Sequence, residues 1–142
     1  MFSDTEIPRE TIQAYLETEY FAFDDASMAL KIGEPNSKLA ALHTAHGVTC
    51  SAFITACNPF SQACSAKFNA DRQHALARDL ENLGLVAIDG MGKHPSNNWP
   101  GEASFLVLGL PLDAAKALGT QYGQNAIVWS AADATPQLIL LR

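Results

Sequence analysis

Val48-Thr49-Cys50-Ser51-Ala52-Phe53-Ile54-Thr55-Ala56-Cys57-Asn58-Pro59-Phe60-Ser61 is the stretch that decides the fold. Val48, Cys50, Ala52, Ile54 and Ala56 alternate with Thr49, Ser51, Phe53, Thr55 and Cys57, and both sets are mostly small or apolar. A strand of residues 48–56 with two such faces belongs in the middle of a sheet. Asn58-Pro59 favours a turn. A helical pattern then runs over about residues 62–83 and Gly84 stops it. Leu85-Val86-Ala87-Ile88 reads as the next strand, so strand, helix and strand carry the signature of a crossover connection.

Working outward, Pro8 suits the first turn of a helix over residues 8–18, with Ile12, Tyr15 and Leu16 at helical spacing. Residues 20–23 and 28–32 are short strands joined by the polar turn Asp24-Asp25-Ala26-Ser27. Ser37 can cap a helix through His46, which Gly47 ends. Beyond the centre, residues 90–101 read as a long loop rich in Gly, Pro and Asn. Then come a strand at 103–108, a helix opened by Pro111, and strands at 126–129 and 137–141. The expected fold is α/β or α+β: one domain over residues 1–142, a mixed sheet of about six or seven strands, and three or four helices.

The bulk composition limits function more than it suggests one. A chain of 142 residues with 48% apolar and 17% charged residues matches one globular domain. There is no apolar run long enough for a membrane span and no signal-peptide pattern at the start, so a cytoplasmic location is expected. The net charge of −6 disfavours broad binding to nucleic acid. Cys50, Cys57 and Cys64 form no C-x-x-C motif and are expected as reduced thiols. His43, His46 and Cys50 have only a weak metal-ligand look, so no metal site is assigned, and the sequence leaves any cofactor unknown.

The strongest functional signal lies in the long helix. At 100° per residue, Leu76, Leu80 and Leu83 share a stripe with Gln62, Ser65, Asn69 and Arg72, so the first half of the inward face is polar. Ser61 is a natural N-cap, and a helix start favours an anion that Arg72 could hold in bidentate fashion. The bland alternative pairs Arg72 with Glu102 or Asp89, while Asn69 and Ser65 satisfy neighbouring backbone. Glu102 is a candidate general base or the partner of Arg72. Trp99 is a stacking surface or a packing anchor. His94 is an acid/base candidate, and His74 falls on the solvent side of the helix. Cys57 and Cys64 flank the helix start but suit small core positions better than catalysis.

Thr55-Ala56-x-Asn58-Pro59-x-Ser61, Asn69-x-x-Arg72, Gly90, Trp99, Glu102, Ser104-Phe105-Leu106-Val107 and Gly123-Gln124-Asn125-Ala126-Ile127-Val128-Trp129 occur here in that order. In this combination the chain, from roughly Tyr15 onward, resembles the bacterial domain-of-unknown-function family numbered 3293. The resemblance implies a fold and a site and names no activity. Gln124 and Asn125 supply amides suited to reading a polar ligand edge or, equally, to satisfying the backbone of a turn; with Thr55 and Ser104 they join Asn58, Ser61, Asn69, Arg72, Trp99 and Glu102 as ligand-binding candidates, beside Glu102, Arg72 and His94 as catalytic ones.

The leading expectation is a small cytoplasmic protein that binds an anionic or nucleotide-like small molecule between the helix start and the loop. Two alternatives stand beside it. One is a protein-interaction or inhibitor module in which the Arg/Glu/Asn network is structural; the other is a small nuclease or hydrolase.

Overall fold

In a computed structural model, residues 5–23 and 28–142 are described. Four α-helices and seven strands form an α+β fold: α1 (Arg9–Glu17), β1 (Glu19–Ala22), β2 (Met28–Leu30), α2 (Ser37–Ala45), β3 (Ser51–Ile54), α3 (Ala66–Asn82), β4 (Ala87–Lys93), β5 (Glu102–Leu108), α4 (Leu112–Gln121), β6 (Ala126–Ser130) and β7 (Gln137–Leu140). The strands make one curled sheet in the order β2-β1-β4-β5-β3-β6-β7. The expected turn at residues 24–27 lies outside the described residues.

β3 is central, as its two apolar faces require, and all four of its residues are buried. It pairs with β5 on one side and β6 on the other. Ala52 and Ile54 face a core built with Leu76 and Leu80 of α3 and with Ala115 and Leu118 of α4. Phe53, between them in sequence, faces the other way, into a core with Leu39 and Leu42 of α2. The alternation of strand side chains therefore separates the two faces of the sheet. Each fully buried leucine, Leu39 and Leu76 among them, contributes roughly 2 kcal/mol through removal of apolar surface from water.

The strand-helix-strand unit around α3 differs from its simplest form. β5 pairs antiparallel with both β3 and β4, so these two run in the same direction with β5 between them. Every neighbouring pair is antiparallel, where the sequence suggested a mixed sheet.

β4 also runs on to Lys93 and absorbs Gly90 and Gly92, which the sequence reads as loop. The glycine at 90 is needed for close approach: a Cβ there would lie 2.4 Å from the Phe21 carbonyl oxygen and 3.0 Å from the Phe53 ring. Among the described residues no helix is long and apolar enough to cross a membrane.

Candidate functional site

After Ile54 the chain leaves the sheet through a tight, left-handed segment. Asn58, Phe60 and Ser61 all have positive φ, at 47°, 57° and 57°. Three such non-glycine residues in a row of four are costly, and Asn58 also precedes a proline, which disfavours its conformation. Other parts of the chain hold the segment in place. Asn58 N–H donates to Asn69 Oδ1 at 2.9 Å, and Asn69 Nδ2 donates back to Asn58 Oδ1 at 2.9 Å. Cys64 N–H donates to the same Oδ1 at 3.0 Å. Phe60 N–H reaches the Gly123 carbonyl at 2.7 Å.

This segment changes where α3 starts. The helix begins at Ala66, with Ser65 as the cap that accepts from Phe68 N–H at 3.1 Å; the expected start at Gln62 with Ser61 as cap is corrected. Ser61 Oγ instead shares a short hydrogen bond with Tyr15 OH and accepts from Asn125 Nδ2 at 3.2 Å. Arg142 Nη1 donates to Asn125 Oδ1 at 3.0 Å.

A cavity of about 330 Å³ lies against the Phe53 face of the sheet and is walled by α1 and the 94–102 segment. Thr55, Asn58, Ser61, His94, Trp99, Glu102, Ser104 and Gln124 line it. These are eight of the candidates read from the sequence, brought together from three separate stretches. Tyr15, Tyr20 and Thr11 also line the cavity and were missed. In the sequence Tyr15 is simply an apolar-face residue of an amphipathic helix, and nothing local announces that its hydroxyl meets Ser61.

Glu102 is the chemical centre of the cavity. Asn58 Nδ2 donates to its Oε2 at 2.6 Å. Burial pushes the carboxyl above its usual range, opposed by hydrogen bonding from Asn58 and from the Trp99 indole. Its neighbours are committed to backbone: Thr55 Oγ1 donates to the Ala103 carbonyl at 2.7 Å, Ser104 Oγ to the Glu102 carbonyl at 3.0 Å, and Gln124 Nε2 to the Cys57 carbonyl at 3.1 Å. The Cys57 thiol is buried and pushed up by that burial, which suits packing rather than nucleophilic use.

Arg72 and Asn69 do not line the cavity, because α3 packs on the opposite face of the sheet. Arg72 Nε donates to the Ala56 carbonyl at 2.8 Å, and a second nitrogen donates to the Tyr122 carbonyl. Its guanidinium lies 5.5 Å from both the Phe68 and Tyr122 ring centres. Neither Glu102 nor Asp89 forms an ion pair with it among the described residues. With Asn69 bound to Asn58 and Ser65 capping, the polar stripe of α3 stitches the end of β3 in place.

His94 Nδ1 accepts from Ser96 N–H and Asn97 N–H, each at 3.1 Å, so the ring proton sits on Nε2, which faces Glu17 Oε1 at 2.9 Å. Between α2 and β3, His43 Nε2 meets Ser51 Oγ at 2.8 Å, while the Cys50 thiol donates to the Leu110 carbonyl at 3.4 Å. Among the described residues no three His, Cys, Asp or Glu side chains stand close enough to hold a metal ion.

A family model described as a protein of unknown function, DUF3293, matches residues 54–127, about half of the chain. The match holds the polar floor of the cavity, from Thr55 to Gln124, and leaves out the α1 wall. No curated protein and no solved structure matches the chain.

Proposed function

The chain belongs to DUF3293, a family of unknown function, and from that premise we propose that it binds a small organic molecule in the cavity between α1, the sheet and the 94–102 segment. One observation carries the reading: a partly enclosed space of about 330 Å³ with the Asn58-held carboxyl of Glu102 in its wall. That volume is at the small end of ligand pockets, and a few fixed polar groups in a mostly apolar lining are their usual make-up.

Strain in the Asn58–Ser61 segment supports the same reading, since costly backbone concentrates at functional sites. The bacterial cytoplasm is a fitting location, because Cys50, Cys57 and Cys64 are all free thiols.

The anionic or nucleotide-like ligand expected from the sequence draws no support from Arg72. Arg72, the residue meant to hold an anion, is bonded to two backbone carbonyls across the sheet. A nuclease reading meets the same obstacle. The raised pKa of Glu102 favours a second reading of the same site, hydrolysis or group transfer with Glu102 as general base. Neither Arg72 nor His94 is given a role in it. The interaction-module reading draws on the Asn58–Asn69–Arg72 network but leaves the cavity without a purpose.

The test is a thermal-shift screen of the full chain against a panel of polar metabolites. At least one compound raises the unfolding temperature, and a folded Ala14→Phe variant, which fills the cavity from α1, loses that shift. A panel without effect, or a shift that Ala14→Phe leaves intact, overturns the proposal.

A further inference from the structure

The cavity has a one-sided charge. Its described lining includes Glu10 and Glu102 and no Lys or Arg, while Tyr15, Tyr20, Phe53 and Trp99 supply ring surface. The Asn58 amide that holds Glu102 is neutral, and among the described residues no cationic side chain forms an ion pair with it. Among the described lining residues His94 has the only basic side chain, and both of its ring nitrogens are engaged elsewhere.

Taken with the reading of the cavity as a binding site, on which this rests, we propose that the ligand is a small organic cation of the alkylammonium type. Its N–H groups point to Glu102 and its hydrocarbon lies against the aromatic rings.

A carboxylate drawn out of water without a matching charge is costly, and a ligand ammonium supplies that match. Hydrogen bonds in which both partners are charged are shorter and stronger than neutral ones. The electron-rich faces of Tyr and Trp attract a cation as well as packing against its carbon chain. The same lining repels phosphates and carboxylates, and the net charge of −6 draws cations toward the protein while repelling anions.

The decisive experiment compares three five-carbon probes that differ in head-group charge: n-pentylammonium, n-pentanol and pentanoate. Each is titrated into the full chain at neutral pH while the Trp99 indole and the backbone amides of residues 102–104 are followed by NMR. The ammonium binds about tenfold or more tightly than the alcohol, and pentanoate binds weakest. Glu102→Gln brings the ammonium and the alcohol to similar affinity; the ranking in the wild-type chain stands as a test even where that variant does not fold.

Equal affinity for ammonium and alcohol, or a preference for pentanoate, overturns the charge assignment and leaves the cavity reading standing. No response to any of the three overturns both.

Discussion

Asn58 and Glu102 are 44 residues apart in the chain and 2.6 Å apart in space, with the amide donating to the carboxylate. The bond ties the strained exit of β3 to the first residue of β5. It joins the two halves of the cavity floor.

Asn58 is bonded through its backbone, its Oδ1 and its Nδ2 at once, and its φ of 47° suits Asn better than most residues. Asn58→Ala removes the side-chain bonds and keeps the strained backbone. Its expected cost is about 3 kcal/mol, from lost partners and left-handed strain together. Chemical denaturation measures it, and a cost under about 1 kcal/mol would show that the segment relaxes freely.

Glu102 gives stability a characteristic pH dependence. Burial raises its folded-state pKa above the ordinary 4.5, so between the unfolded and folded values the folded chain holds more protons. Stability from this group is full below the unfolded pKa and is lost as pH rises through the folded one. Glu102→Gln keeps an acceptor for Asn58 and removes the titration. Denaturation curves taken across acid to neutral pH are expected to show a smaller decline in the variant, with its stability at neutral pH equal to or above the wild type.

For Arg72 the expected loss is structural. Arg72→Ala strips the Ala56 and Tyr122 carbonyls of their donors and unstacks the Phe68 and Tyr122 rings. This amounts to about 3 kcal/mol. Arg72→Lys recovers little, because a lysine head cannot reproduce the guanidinium fork. Ligand uptake by folded Arg72→Lys protein matches the wild type, since Arg72 lies outside the cavity lining; calorimetry with a compound found in the metabolite screen checks this.

His94→Ala removes the shared acceptor of Ser96 N–H and Asn97 N–H. Hydrogen exchange at those two amides is expected to rise about tenfold. Global stability changes by less than about 1 kcal/mol, because the Glu17 contact on the other side of the ring is at a surface carboxylate. Unchanged exchange at residues 96 and 97 contradicts this role.

Periodicity made the main elements legible. The two-faced pattern of residues 48–56 marks a central strand, and the Leu76–Leu80 spacing marks the buried face of α3. The start of α3 was not legible, because Ser61 and Ser65 are equally good caps and Phe60 gives no warning of a left-handed backbone.

Gly90 and Gly92 concealed the end of β4. Glycine lowers strand propensity, and the need for it at 90 comes from Phe21 and Phe53, far away in sequence. The polar candidates of the site were readable one by one. Their division between the two faces of the sheet was not: that depends on which side α3 packs, and it sets Arg72 apart from Glu102.

The place of β5 between β3 and β4 has a consequence for how the sheet is assembled. β4 and β5 are a hairpin whose paired residues include Gly92 and Glu102, so its closure spans residues 93–101 and costs less chain entropy than pairing with β3. The partner of Ile54 is Phe105, on the far side of α3 and β4. One side of β3 therefore stays open until the hairpin docks. The strand that closes this side of β3 is also the one whose first residue is Glu102, so the place of the carboxyl in the cavity depends on a long-range pairing.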